Sequence, residues 1–372
     1  MKILFLIHDL GRGGAEKVLV NLVNNLDREA FDVTVIALFG GGVNEQFLDG
    51  RVKFRTVFPR SIPGNSRLMK LLSPRALHRM IVKEHYDVEV SYLEGPCARI
   101  ISGCEDPDTK LVSWIHCTMK SPEEVGSGFR SAAEARACYG RMHRLAFVSR
   151  SVRDAFVRYC PHPETRVLYN TIESDAIRAL AHEEVSLDSD GRTRLTAVGT
   201  LKKVKGLDRL VRIAARLKTE GYPVRLYLLG EGPEREALAR QIAEGGLQED
   251  VILAGYQVNP YRYVARCDLL VCSSYSEGLS TAVTEALIVG TPVCTVEVSG
   301  MRELLGENDE FGVVTENDEE ALYRGIRRLL DDPALMARYR EKAAERGRAF
   351  SKEETVGAVQ EMLTEMCRED RR

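Results

Sequence analysis

Residues 3–26 read ILFLIHDLGRGGAEKVLVNLVNNL, and residues 195–217 read LTAVGTLKKVKGLDRLVRIAARL. Each is a short apolar run, a turn with glycines, then a helical pattern. In the first, Val18, Leu19, Leu22, Val23 and Leu26 recur at helical spacing. In the second, Leu207, Leu210, Val211, Ala214 and Leu217 do the same. A buried strand that feeds an amphipathic helix is half of a βαβ unit, and two such starts predict two parallel, doubly wound sheets.

Working outward, further strands are predicted at 33–38, 52–57, 87–90, 110–114 and 144–148. In the second half they fall at 224–229, 250–253, 268–272, 293–296 and 311–314. Helices follow at 318–330 and 334–347, with a last one to about 367. The segment 181–192 (AHEEVSLDSDGR) is polar, acidic and without periodicity, and reads as a linker. The predicted α/β domains therefore span 1–180 and 190–350, each Rossmann-like. Ligands of such sheets bind at the C-terminal ends of the strands, so two facing domains would share a cleft there.

The 372 residues suit two domains at roughly 150 each. Apolar residues are 44% and charged residues 29%, which excludes a disordered or collagen-like chain. The formal charge of -3 excludes a strongly basic nucleic-acid binder. Residues 1–180 carry net +4 and residues 181–372 net -7, so an acidic partner suits the first domain only. Nine cysteines, an odd number without a C-x-x-C pair, predict a reduced, intracellular protein. No apolar stretch reaches the ~18 residues of a membrane span, so the expected location is cytoplasmic or peripheral on the inner face of a membrane.

Four loops carry candidate chemistry. GRGGAE at 11–16 serves either a tight turn or close approach of backbone to phosphate at a helix start. It is not the G-x-G-x-x-G fingerprint, and no acid ends the second strand, which argues against a nicotinamide dehydrogenase. GTLKKVKG at 199–206 places lysines beside a helix start, suited to a diphosphate or to a solvated basic turn. GEGPE at 230–234 leaves room for a flat ligand or is an ordinary loop with proline at a helix start. SSYSEGLS at 273–280 leads into a helix with Ser280 as N-cap. Exposed amides at 279–281 would greet an anion, and the carboxylates of Glu277 and Glu285 could accept bonds from hydroxyl groups. Phosphate plus many hydroxyls describes a nucleotide sugar.

At these residues the chain resembles the GT-B glycosyltransferases of family four, the large retaining group. The matching pieces run in order: GGAE at 13–16, Ser149 before a helix, YNT at 169–171, VG at 198–199 through KG at 205–206, GEG at 230–232, SEG at 276–278 to Glu285-Ala286, and GTPV at 290–293. The resemblance implies transfer of a hexosyl group from a nucleoside diphosphate sugar, with UDP as the expected carrier, to an acceptor hydroxyl with retention. Surface polysaccharide or lipid-linked glycan synthesis is the implied setting. By resemblance Glu277 contacts sugar hydroxyls, Glu285 the ribose, and Lys205 the diphosphate. The loop of Gly13 and Gly14 closes over that diphosphate. Gly230 and Glu231, with Gly278 and the amides of Leu279, Ser280 and Thr281, line the donor, and the base lies near Tyr256. His116 matches a histidine close to the reacting sugar. The C-terminal segment 351–372 is expected to pack back on the first domain.

One departure stands out. The family usually has arginine where Thr200 stands; either Lys202 or Lys203 supplies the missing charge, or Lys205 acts with fewer partners. Thr200 is also the one hint of an alternative, a non-catalytic family member that binds a nucleotide sugar as sensor or partner subunit. No metal or other cofactor is expected. The strings DPD at 106–108 and DSD at 188–190 lie in polar connectors, away from the proposed cleft. Residues 51–83 hold nine Lys or Arg and no Asp or Glu. Here Ser73-Pro74 begins a helix that gathers Arg75, Arg79 and Lys83 on one side, with Leu77, Met80 and Ile81 nearly opposite. With Arg67 and Lys70 this forms either a solvated face or a patch that docks on an anionic membrane near a lipid-linked acceptor.

Overall fold

The computed structural model describes residues 1–11, 13–60, 69–187 and 190–368. Arg67 and the pair Asp188-Ser189 lie outside the described residues. The chain divides into two compact units, Met1–Ile172 with Lys352–Arg372, and Glu173–Ser351.

In the first unit the strands are β1 (Lys2–Ile7), β2 (Asp32–Phe39), β3 (Lys53–Phe58), β4 (Val88–Ser91), β5 (Lys110–Ile115), β6 (Arg144–Phe147) and β7 (Thr165–Val167). They form one sheet in the order β3-β2-β1-β4-β5-β6-β7, every pair parallel. β1 is buried from Ile3 to Ile7, as expected for a strand covered on both faces. The following helix, Gly14–Asn25, buries Val18, Leu19, Leu22 and Val23. β7 escapes the sequence reading because Thr-Arg-Val offers neither an apolar run nor an alternation, and all three residues are half-buried.

The second unit has β8 (Thr193–Val198), β9 (Val224–Leu229), β10 (Val251–Gly255), β11 (Leu269–Cys272), β12 (Val293–Val296) and β13 (Val313–Thr315). Their order is β10-β9-β8-β11-β12-β13, again parallel throughout. Helix Leu207–Thr219 places Leu210, Val211, Ala214 and Leu217 in the core beside Leu195, Leu226 and Leu269. Each fully buried leucine there contributes about 1.5–3 kcal/mol of transfer free energy.

The division falls at Ile172 rather than at 180. Helix Ser174–Ala181 buries Ile177 and Ala181 and packs against helices Tyr261–Val264 and Thr281–Ile288, so it belongs with the second unit. The last helix, Lys352–Arg368, belongs with the first. There Glu361 meets Arg166 at 2.8 Å, and the Gln360 side chain accepts a hydrogen bond from the Asp27 amide at 2.7 Å. No helix among the described residues is long and apolar enough to cross a membrane.

Candidate active site

In the second sheet β8, β9 and β10 run outward one way, and β11, β12 and β13 the other. The strand order therefore reverses between β8 and β11, and such a switch point opens a crevice at the strands' C-terminal ends. The loops that leave β8 and β11 there are 199–206 and 273–280, two of those singled out by the sequence.

They are joined by side chains. Lys205 Nζ lies 2.7 Å from Glu277 Oε1. The Ser274 hydroxyl donates to the same oxygen at 2.6 Å. Ser273 Oγ donates to the Lys205 carbonyl at 3.0 Å, and the Tyr275 amide to the Val204 carbonyl at 2.7 Å. The approach is so close that a Cβ at Gly206, whose φ is +59°, would collide with the Ser273 carbonyl oxygen. Only glycine takes that left-handed backbone without strain. Below the loops the guanidinium of Arg209, 2% exposed, donates to the carbonyls of Ser273 and Ser274 and, at 2.9 Å, to Asn317 Oδ1. Burial lowers the Arg209 pKa.

Arg209 has no place in the sequence-based site, and Ser274 enters it only as part of the 273–280 loop. Arg209 left a signal: it lies next to Leu210 and Val211 on the buried face of an amphipathic helix, where a cation needs partners. Thr200 is half-buried, and the side chains of Lys202 and Lys203 are exposed.

Glu285 sits in the second turn of helix Thr281–Ile288 and is buried, 8% exposed, so it does not face solvent. The Tyr261 hydroxyl donates to its Oε1 at 3.2 Å. The Ser280 hydroxyl caps the helix by accepting from the Val283 amide at 3.4 Å. The amides of a helix's first turn have no intrahelical partner, so this end favours an anion. The loops after β9 and β10 lie alongside. The Gly230 amide donates to the Gly255 carbonyl at 2.8 Å, Glu231 Oε1 meets Arg235 at 2.9 Å, and Tyr256 is exposed.

In the first unit the strand order reverses between β1 and β4. Gly13 is the N-cap of the helix after β1, and Gly14 is its first residue. His116 follows β5 and is buried, and its amide donates to Glu94 Oε2 at 3.0 Å. Its ring packs 4.7 Å from the Tyr92 ring, centroid to centroid, and 6.2 Å from that of Trp114. Desolvation lowers its pKa to about 3, so the imidazole is neutral. His116 Nε2, Tyr92 OH and Trp114 Nε1 are buried polar atoms without a hydrogen-bond partner among the described residues.

The basic helix is Pro74–Ile81, capped by Ser73 through the Ala76 amide at 3.2 Å. It buries Leu77 and Ile81, but Met80 is 43% exposed and corrects the predicted apolar face. His78 turns inward instead and meets buried Glu89 at 2.8 Å. Arg75 and Arg79 stand outward and share Glu105, at 3.2 and 2.6 Å. Lys83 donates to the Arg79 carbonyl at 2.7 Å. Lys70 is half-buried, its carbonyl accepting from Arg130. In the DPD string, Asp106 accepts from the Asp108 amide at 3.0 Å and meets His85 at 2.8 Å.

Residues 12–176 match the family described as Glycosyltransferase Family 4, and residues 181–346 match Glycosyl transferases group 1. The chain belongs to the group 1 glycosyltransferases. A relative of this glycosyltransferase in Campylobacter jejuni is 30% identical over 93% of this chain and 94% of its own. It is named N-acetylgalactosamine-N,N'-diacetylbacillosaminyl-diphospho-undecaprenol 4-alpha-N-acetylgalactosaminyltransferase. The lipopolysaccharide core biosynthesis glycosyltransferase LpsE of Rhizobium meliloti is 26% identical over 94% of this chain and 96% of its own. Among solved structures, Anabaena HepE in complex with UDP-glucose superposes with a TM-score of 0.77 at 20% identity, covering 98% of this chain and all of that one. Its likeness fixes the GT-B fold of this glycosyltransferase.

Proposed function

We propose that the protein transfers a hexosyl group from a UDP-sugar to a hydroxyl of a lipid-linked or polysaccharide acceptor, with retention at the anomeric carbon. The observation that carries the reading is the Lys205–Glu277 pair at the mouth of the β8/β11 crevice, beside the capped start of helix Thr281–Ile288. A leaving diphosphate gains negative charge as the glycosidic bond breaks. Preorganised donors aimed at that charge form the largest catalytic contribution. Lys205 and the amides at 279–281 are those donors. Glu277 accepts from sugar hydroxyls and Glu285 from the ribose. Tyr256 and the loop of Gly230 and Glu231 flank the base. His116, held neutral, offers a hydrogen bond to the sugar without adding charge.

The transfer needs no metal in this reading, because lysine and helix amides take the cation's place. The name of the Campylobacter relative specifies a diphospho-undecaprenol acceptor, which supports a lipid-linked substrate here. Leu71, Leu72 and Met80 are exposed beside the basic side chains of the Pro74–Ile81 helix. Apolar and cationic groups together suit peripheral attachment to an anionic leaflet on the cytoplasmic side.

Thermal unfolding with UDP, GDP, ADP and NAD, each with EDTA, tests the donor. A ligand at about 100 times its Kd stabilises by about 2.7 kcal/mol. A shift with UDP alone, followed by turnover of a UDP-sugar, is the expected result. A shift without turnover of any UDP-sugar would favour a non-catalytic sensor. No shift with any nucleotide would overturn the proposed site.

A further inference from the structure

The first unit holds a second cluster of reactive side chains, on elements that the donor chemistry does not use. His78 comes from helix Pro74–Ile81, Glu89 from the second position of β4, and Cys104 from the segment after helix Pro96–Ile101. One ligand atom from each lies within 4.8 Å of the other two. His78 Nε2 and Glu89 Oε2 are 2.8 Å apart. Glu89 is 2% and Cys104 3% exposed. The chain is brought together tightly here. Gly103 packs against the Pro74 backbone so closely that a Cβ would collide with the Pro74 carbonyl, which sets Cys104 beside the basic helix.

A carboxylate between Val88 and Val90 on a buried strand is costly, and an apolar residue of similar volume is often at least as stable in such a place. An imidazole, a thiol and a carboxylate converging from three elements form a donor set suited to zinc rather than to magnesium or calcium. Around a tetrahedral zinc, with bonds of about 2.0–2.3 Å, such donors stand roughly 3.3–3.8 Å apart. The His78–Glu89 contact need open by only about 1 Å to admit the ion. The cluster also borders a cavity of about 390 Å³, further lined by His85, Asp106 and Thr109. The cavity gives the fourth coordination position room for a water molecule, the arrangement of an open zinc site.

We infer that His78, Glu89 and Cys104 form a binding site for a zinc-class divalent cation, with its fourth position open to the cavity. Cys104 coordinates as thiolate, Glu89 as carboxylate and His78 as neutral imidazole, and the displaced protons leave to solvent. The ion ties the basic helix to β4 and to the segment after helix Pro96–Ile101. Its ligands all belong to the first unit, whereas the donor loops belong to the second, and the proposed transfer step does not use it.

Cobalt titration of chelator-treated, full-length protein tests this. Cobalt bound to a thiolate gives a charge-transfer band in the near ultraviolet and intense visible bands when tetrahedral. The expected result is one equivalent of cobalt with that band, bleached by zinc. Cys104→Ser removes the band, whereas Cys367→Ser at the far end of the chain leaves it intact. If Cys104→Ser fails to fold, His78→Gln serves instead, with cobalt affinity at least tenfold weaker. Absence of the band at one equivalent in the wild-type protein, or its survival in Cys104→Ser, would overturn the site and leave a buried His–Glu pair beside a thiol. The readout is spectroscopic, so neither result bears on donor turnover.

Discussion

Lys205 and Glu277, 72 residues apart in sequence, form a 2.7 Å ion pair across the point where the second sheet reverses its strand order. Glu277 is only 10% exposed at its side chain and also accepts from Ser274, so the carboxylate is held in one orientation. Lys205 keeps more freedom, with 29% of its side chain open to solvent. The pair is therefore a fixed acceptor facing a cation that can reach outward. In the proposed reaction the sugar hydroxyls meet the first and the diphosphate meets the second.

Lys205→Ala tests the cation. Loss of one preorganised donor to a developing oxyanion lowers turnover by about 10²–10³. The variant should keep the wild-type circular dichroism and unfold at nearly the same temperature, because the ammonium is partly exposed. A turnover within tenfold of wild type would sink the assignment of Lys205.

Glu277→Gln separates binding from turnover. Without the carboxylate, Lys205 is no longer neutralised, and the amide still accepts from Ser274. UDP alone should bind at least as tightly as to the wild type, measured by calorimetry, while sugar transfer falls by at least about 10². Weaker UDP binding in this variant would mean that Glu277 holds the nucleotide rather than the sugar.

Gly206→Ala addresses the backbone that sets Lys205. A non-glycine residue at φ +59° carries about 1–3 kcal/mol of strain, and here its Cβ also meets the Ser273 carbonyl. Urea unfolding should show at least that loss of stability. Turnover should fall as well, since the two loops must part to admit the methyl group. Unchanged stability would show that the loop relaxes without cost.

Much of this architecture was legible in the sequence because parallel strands buried on both faces leave continuous apolar runs. β1 and β9 are legible that way, and Ser73 and Ser280 as caps by their place before helical patterns. Glu277 and Glu285 stand out in the sequence as carboxylates beside a capped helix start, and only the resemblance gives them separate roles. The missing features depend on partners distant in sequence. Arg209 matters through carbonyls of residues 273 and 274, and Tyr261 through Glu285. His78 faces inward because Glu89 lies there, whereas helical spacing alone gave that face to Met80. The unit boundary moved because helix Ser174–Ala181 packs on helices that follow it, a contact no linker composition announces.

His116 gives a prediction with a definite sign. Burial lowers its pKa from 6.5 to about 3. Between those values the unfolded chain takes up a proton that the folded chain refuses. Stability from this residue is therefore complete above about pH 6.5 and declines as pH falls toward 3. Denaturant unfolding of the wild type and of His116→Asn at pH 7.5 and pH 5 isolates the effect from the other histidines. The wild type should lose stability on acidification by more than the variant does. Proton NMR offers the direct check: the ring resonance of His116 in the folded protein should not move between pH 7.5 and pH 5. A midpoint near 6.5 would mean that solvent reaches the ring, and the neutral imidazole that the proposed role requires could no longer be maintained at working pH.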